Sequence, residues 1–336
     1  MCKAFCVITL WSSTKPLESE KMNILICDDM FPAMLEILNR LLSEDDVRFC
    51  RQENVLTEAK WAEVLIPSMS RITPEIIDSA PHLKLIQQFG VGLEGVDINA
   101  ASGKGIPVAN VPGNQAPVHA ECTAEGGVFL MMACARLFKI AQQALAKGEW
   151  GRPRGVALID RTALIIGLGA VGKALARRLV CLGMDVMGID IAPPDGLAEE
   201  LGLTLLAKPD RLFSLLPESD FLISAVTLTP ETRGIANRSV FECMKPTAYF
   251  INISRGPIVN EEDLLSAVSE GSIAGAGLDV LSIEPPTPEH PLINHDRIVI
   301  TPHTAGVTEQ SFSALGHAVA DNIARLKEGK QLKNTV

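Results

Sequence analysis

Thr162-Ala163-Leu164-Ile165-Ile166-Gly167-Leu168-Gly169-Ala170-Val171-Gly172 reads as a buried parallel strand entering a tight glycine turn and then a helix over 170–182. Gly167 permits the turn, Gly169 lets the backbone approach a pyrophosphate, and Gly172 lets helix and strand pack closely. The helix start, Ala170 and Val171, offers free N–H groups and the positive dipole end to phosphates. A second strand, Met187-Gly188-Ile189-Asp190, ends in an acid eighteen residues beyond Gly172. There a carboxylate can accept hydrogen bonds from ribose hydroxyls. Strand, turn, helix, strand and terminal acid in this order predict a dinucleotide site. Ile191 follows Asp190 and no arginine stands there to meet a 2′-phosphate, so NAD is expected rather than NADP.

The sequence around this core excludes several function classes. At 336 residues the chain can hold two cores. A net charge of −10 argues against nucleic acid and gives no reason to expect an anionic membrane as partner. Eight cysteines lie scattered at positions 2, 6, 27, 50, 122, 134, 181 and 243, without C-x-x-C or clustering with histidine. That usage fits a reducing, cytoplasmic compartment with most thiols in the core, and no metal site is expected. The apolar run 126–135 is too short to span a bilayer and predicts a helix buried on all sides, partly by a second subunit. Residues 1–21 read as a non-core extension, with the globular pattern starting at Met22.

From Met22 short apolar strands alternate with helices, which predicts a parallel sheet covered on both faces. This first half carries no dinucleotide fingerprint. It has Gln88-Phe89-Gly90-Val91-Gly92-Leu93-Glu94-Gly95 instead, a glycine-rich loop after a strand, able to present backbone amides to a ligand. Pro117 opens a long helix expected to reach about residue 147, and the second sheet begins at the fingerprint. A last amphipathic helix is expected over 308–329.

Three loops after successive strands of the second sheet carry reactive groups. Asn252-Ile253-Ser254-Arg255-Gly256 supplies an arginine, Leu278-Asp279-Val280 leads to Glu284-Pro285, and Thr301-Pro302-His303 supplies a histidine. Hydride transfer to a 2-oxo acid needs a fixed cation for the carboxylate, and arginine's planar fork suits it. It also needs a proton donor that titrates near neutrality, which histidine is, and a carboxylate to orient and charge it. Each residue alone reads as a surface charge, a solvated loop acid or a structural histidine. Their joint placement after consecutive strands points to chemistry. His119, His290, His295 and His317 lack such placement and read as structural or exposed. The pocket is expected to be modestly apolar (Met69, Phe89, Leu93), with Arg71 nearby.

From about Met22 to Arg325 the chain resembles the D-isomer-specific 2-hydroxyacid dehydrogenases. The likeness rests on Gly90 through Asp97, Gly105-Ile106-Pro107-Val108-Ala109-Asn110-Val111-Pro112-Gly113, Gly167 through Gly172, and Leu228-Thr229-Pro230-Glu231-Thr232-Arg233-Gly234. It continues in Met244-Lys245-Pro246, Asn252 through Leu264, Gly277-Leu278-Asp279-Val280, Glu284-Pro285 and Thr301-Pro302-His303. The resemblance implies an α/β fold of two doubly wound parallel-sheet domains. A Rossmann cofactor domain over 119–305 would be inserted in a flavodoxin-like substrate domain, 22–118 plus 306–336. It further implies that Arg255 binds the substrate carboxylate with the Val91 and Gly92 amides, and that His303 is the acid/base paired with Glu284. Asp279 would lie near the nicotinamide carboxamide and Thr227 near the cofactor's nucleoside or nicotinamide side, and homodimers are usual in the family.

Departures from the pattern are Leu158-Ile159-Asp160-Arg161-Thr162 before the fingerprint, Thr227 for a common proline, and Leu281-Ser282-Ile283 before the acid. None removes a catalytic group. Glutamate at 284 favours hydroxy acids over formate. Two other readings stay open on the same residues: a dehydrogenase of another small anion such as phosphite, or a non-catalytic NAD-sensing protein like the family's corepressor relatives. With the sequence ending at Val336, a phosphoglycerate-type enzyme with an added regulatory domain is the less expected reading.

Overall fold

A computed structural model describes residues 21–336; apart from Lys21, the extension expected over 1–21 lies outside the described residues. Two parallel sheets organise the chain. The first contains β1 (Asn23–Ile26), β2 (Asp46–Phe49), β3 (Val64–Ile66), β4 (Leu85–Gln87) and β5 (Val108–Ala109), in the order β2-β1-β3-β4-β5. That is the flavodoxin-like order. The second contains β6 (Thr162–Ile166), β7 (Asp185–Ile189), β8 (Leu205–Ala207), β9 (Phe221–Ser224), β10 (Tyr249–Asn252), β11 (Gly275–Leu278) and β12 (Ile298–Ile300). Its order, β12-β11-β10-β9-β6-β7-β8, reverses direction beside β6, the arrangement of a Rossmann sheet.

The inner strands are mostly apolar and buried because helices cover both faces, whereas the edge strand β2 carries Asp46 and Arg48 and leaves Phe49 exposed. On β6, Ala163 and Ile165 pack with Leu130, Leu175 and Leu179, while Leu164 and Ile166 join Leu222, Phe250 and Leu264 on the other side. On β1, Ile24 and Ile26 face one core and Leu25 the other. The helix Glu309–Lys327 belongs to the first sheet, where Phe312, Leu315, Val319 and Ile323 pack against Ile24, Ile26 and Val64. Buried Asn322 fixes it there, donating to Gln87 Oε1 at 2.8 Å and to the Lys333 carbonyl at 2.9 Å. Beyond it the chain runs back along β5, pairing Thr335 with Ala109.

One expectation needs correction. The single helix from Pro117 to about residue 147 is two, Pro117–Ala135 and Phe138–Ala146, bent by 56°. Leu137 sits at φ 53°, a left-handed conformation that stops the first helix, while the apolar pattern runs on across the break. Within one chain the run 126–135 buries Leu130, Met131 and Cys134 and leaves Phe129 and Met132 exposed. Four of the six described cysteines, Cys27, Cys50, Cys122 and Cys134, are buried. Burial pushes the Cys134 thiol up to about 12, which keeps it un-ionised and inert. Among the described residues no single helix is long and apolar enough to cross a membrane.

The turn after β6 is closed tightly. Gly167 has φ 90°, and a Cβ on Gly172 would overlap the Gly167 carbonyl, so helix and turn share space only a hydrogen can fill. Replacing Gly172 with Ala is expected to destabilise the protein by about 1–3 kcal/mol through this overlap. Urea unfolding of G172A checks it, with an unchanged midpoint as the contrary result.

Candidate active site

The loops leaving β4, β6, β9, β10, β11 and β12 meet in one cleft between the sheets, with a volume of about 670 Å³. Val91, Gly92, Gly169, Ala170, Val171, Thr227, Arg255, Asp279 and His303 all line it. Glu284 reaches it through His303, whose Nδ1 lies 2.8 Å from Glu284 Oε2. The other Glu284 oxygen accepts the Leu281 N–H at 2.7 Å, so the carboxylate is held from its own loop. That loop is pressed onto the arginine turn: a side chain on Gly256 would overlap the backbone of Leu281 and Ser282.

His303 has φ 55°, which a non-glycine residue holds only when its surroundings fix it. The His303 N–H donates to the Asp279 carbonyl at 2.8 Å. Asp279 Oδ1 also accepts from Thr301 Oγ1 at 2.6 Å, Thr304 N–H at 2.8 Å and Ala305 N–H at 2.9 Å. Burial pushes the Asp279 carboxyl above its usual range, against the pull of the Thr301 hydroxyl, the His303 charge and the two amides. The ring of Phe31 meets the His303 imidazole edge-on at 6.0 Å, closing its apolar side.

Arg255 is set by a buried amide. Asn252 Oδ1 accepts the Ser254 N–H at 3.0 Å and its Nδ2 donates to the Arg255 carbonyl at 2.9 Å. The guanidinium donates through Nη1 to the Ser254 carbonyl at 2.8 Å and pairs through Nε with Glu94 Oε1 at 3.3 Å. Across the cleft, Gln88 Nε2 donates to the Gly92 carbonyl and Asn110 Nδ2 donates to the Val91 carbonyl at 2.8 Å. With those carbonyls engaged, the N–H groups of Val91 and Gly92 have no acceptor among the described residues.

The glycine turn fits a dinucleotide. The N–H groups of Ala170, Val171 and Gly172 have no acceptor among the described residues, at the start of a twelve-residue helix. Asp190 closes the turn, accepting the Leu168 N–H at 2.8 Å and the Ala192 N–H at 3.1 Å. Exposed Ile191 follows. A side chain on Gly169 would meet open space.

Residues 128–305 match the family model for the D-isomer specific 2-hydroxyacid dehydrogenase NAD binding domain. The chain belongs to that family. It is 35% identical over 289 residues to a glyoxylate reductase of Korarchaeum cryptofilum, covering 84% of this chain and 85% of the relative. It is also 35% identical over 318 residues to a D-3-phosphoglycerate dehydrogenase of Methanocaldococcus jannaschii, covering 94% of this chain but only 59% of that protein's length. An NADPH-dependent glyoxylate/hydroxypyruvate reductase of Sinorhizobium meliloti, solved with NADP and malonate, superposes with a TM-score of 0.80 at 29% identity, covering 94% and 97% of the two chains.

Three features of this cleft leave no clear signal in the sequence. Glu94 pairs with Arg255; Phe31 and Phe312 wall the histidine side; and His119, read as structural or exposed, lines the cleft with its Nδ1 2.7 Å from Ser311 Oγ. Arg71, expected nearby, is exposed and does not line the cleft, whereas Met69, Phe89 and Leu93 do. Burial, then the positive charges of Arg255 and His303, pulls the His119 pKa below the usual 6.5. As pH falls through about 6.5 the unfolded chain binds a proton at this site that the folded one refuses, so stability is lost on acidification. The loss levels off below the folded-state pKa. His119→Gln is expected to flatten the fall of unfolding free energy over that window by at most about 1.4 kcal/mol per pH unit, one proton's share. Parallel pH-dependent unfolding curves for the two proteins would count against this placement.

Proposed function

We propose that the chain is an NAD-dependent oxidoreductase interconverting a D-2-hydroxy acid and its 2-oxo acid. The observation that carries this reading is the His303–Glu284 pair at 2.8 Å, in one cleft with Arg255 and the glycine turn. When bound, the nicotinamide supplies or accepts a hydride at the substrate C2. Arg255 grips the carboxylate and stabilises negative charge on the C2 oxygen, and the Val91 and Gly92 amides hold the same carboxylate. In reduction His303 gives that oxygen a proton from Nε2 and in oxidation takes it back. Glu284 at Nδ1 orients the ring and stabilises its charged form. Phe31 and Phe312 keep water from this side. Asp279 and Thr227 take the nicotinamide side of the cleft.

Gly167, Gly169, Ala170, Val171 and Gly172 would cradle the pyrophosphate, and Asp190 would accept from the adenosine ribose. The Asp190 carboxylate followed by exposed Ile191 supports NAD over NADP, because neither side chain can meet a 2′-phosphate with positive charge. The two sheets support a division into a substrate domain, 22–118 with 306–336, and a cofactor domain, 119–305. We assign a cytoplasmic setting on the unpaired cysteines. His303→Ala is expected to lower NADH-dependent reduction of glyoxylate, hydroxypyruvate or pyruvate by about 100- to 10,000-fold. NADH affinity, read by fluorescence, should stay within a few-fold of the parent. Equal turnover in the variant, or a preference for NADPH in the parent, would overturn the respective assignment.

Phe129, Met132, Phe138 and Leu145, all exposed, lie on the two helices either side of the Leu137 break. This supports a homodimer through these two helices, since large apolar side chains that face water are costly to leave uncovered. Sedimentation is expected to give twice the chain mass, and Phe129→Glu with Met132→Glu should yield monomer. A monomeric parent would dismiss the interface.

A further inference from the structure

Glu94 has no part in the chemistry above, yet it occupies the cation that chemistry depends on. It stands two residues after Gly92 in the loop whose amides face the cleft, with Oε1 3.3 Å from Arg255 Nε. Gly92 is what lets the groups crowd together: a Cβ there would overlap both Arg255 Nη2 and Glu94 Oε2. Guanidinium, carboxylate and two unpartnered N–H groups therefore share one small volume. Among the described residues lining the cleft, the ionisable side chains are Arg255, Glu94, Asp279, His119 and His303. Asp279 is committed to the His303 turn through Thr301, Thr304 and Ala305. His119 is kept neutral by burial and by the charges of Arg255 and His303.

One permanent cation is thus paired with one carboxylate that the His303 turn does not hold. A substrate carboxylate can share the guanidinium, helped by the Val91 and Gly92 amides. A second anionic group on the same substrate finds no further permanent cation and is repelled by Glu94. The walls beyond, Met69, Phe89 and Leu93, offer such a group no charge to pair with either. We propose that Glu94 is a charge-selecting residue that restricts this site to 2-oxo and 2-hydroxy acids carrying a single negative charge, against those bearing a second carboxylate or a phosphate. The inference rests on the proposed role of Arg255 as the carboxylate-binding residue.

Oxamate and oxalate test it, being nearly the same shape and differing by one negative charge. Calorimetric titration of the NADH-loaded protein is expected to show tighter binding of oxamate. Glu94→Gln should narrow the oxamate-to-oxalate preference about tenfold, the scale of one unit-charge repulsion across a partly hydrated cleft. Glu94→Asp, which keeps the charge, should retain most of the preference. A purely structural role would weaken both ligands alike and leave the ratio unmoved. Kinetically, the preference for hydroxypyruvate over 3-phosphohydroxypyruvate should narrow in E94Q, chiefly through KM. If E94Q folds poorly, raising salt from about 0.01 M to about 1 M reads the same charge in the parent, since the screening length falls from roughly 30 Å to 3 Å. A ratio unchanged in E94Q, or equal affinity of the parent for both ligands, overturns the proposal. Ratio narrowing without turnover of any 2-oxo acid would instead sink the proposed activity and leave the selection standing; binding of neither ligand would sink both.

Discussion

One carboxylate oxygen, Oδ1 of Asp279, takes three hydrogen bonds from the turn that carries His303, and the geometry of the cleft hangs on it. Bonds to a charged acceptor contribute about 1.5–3 kcal/mol each, ample to hold a histidine at positive φ. Because Asp279 leaves β11 and His303 leaves β12, neighbours in the sheet, these bonds turn strand pairing into side-chain placement. Glu284, from the loop after β11, then meets an imidazole already aimed at it. The rigidity starts in the sheet and ends at a ring nitrogen.

The same logic sets the arginine. Buried Asn252 ends β10 and ties both ends of the Ser254–Arg255 turn, while Gly256 brings the Leu281 backbone into contact with that turn. The cation, the acid and the histidine are therefore not three independent loops. They form one packed rim along the carboxyl ends of β10, β11 and β12, where an open α/β sheet presents its ligand site. The first sheet answers with a loop whose carbonyls are held by Gln88 and Asn110, so that its amides remain for the ligand.

Much of this was legible in the residues. The glycine turn shows in sequence because Gly167 and Gly172 each meet a steric limit that no other residue satisfies. Arg255, Glu284 and His303 show because each follows a short apolar strand and has a chemistry suited to its place. What stayed hidden depends on distance or on a single backbone angle. The Leu137 break leaves no mark, since the apolar pattern continues through it. Phe31 and Phe312 touch only because helix Glu309–Lys327 returns to the first sheet, and His119 reaches Ser311 for the same reason. Glu94 sits in a glycine-rich loop where an acid reads as ordinary solvation, until folding sets Arg255 beside it.

That returning helix also fixes an order of events. The core of the first sheet is incomplete without Phe312, Leu315, Val319 and Ile323, which are made after every strand of the second sheet. On the ribosome, the second sheet's residues can collapse together as they emerge, whereas β1 through β5 must wait, with one apolar face open to water, until helix Glu309–Lys327 arrives. The part of the chain made first is the part finished last, and that interval is when a chaperone has most reason to attend it.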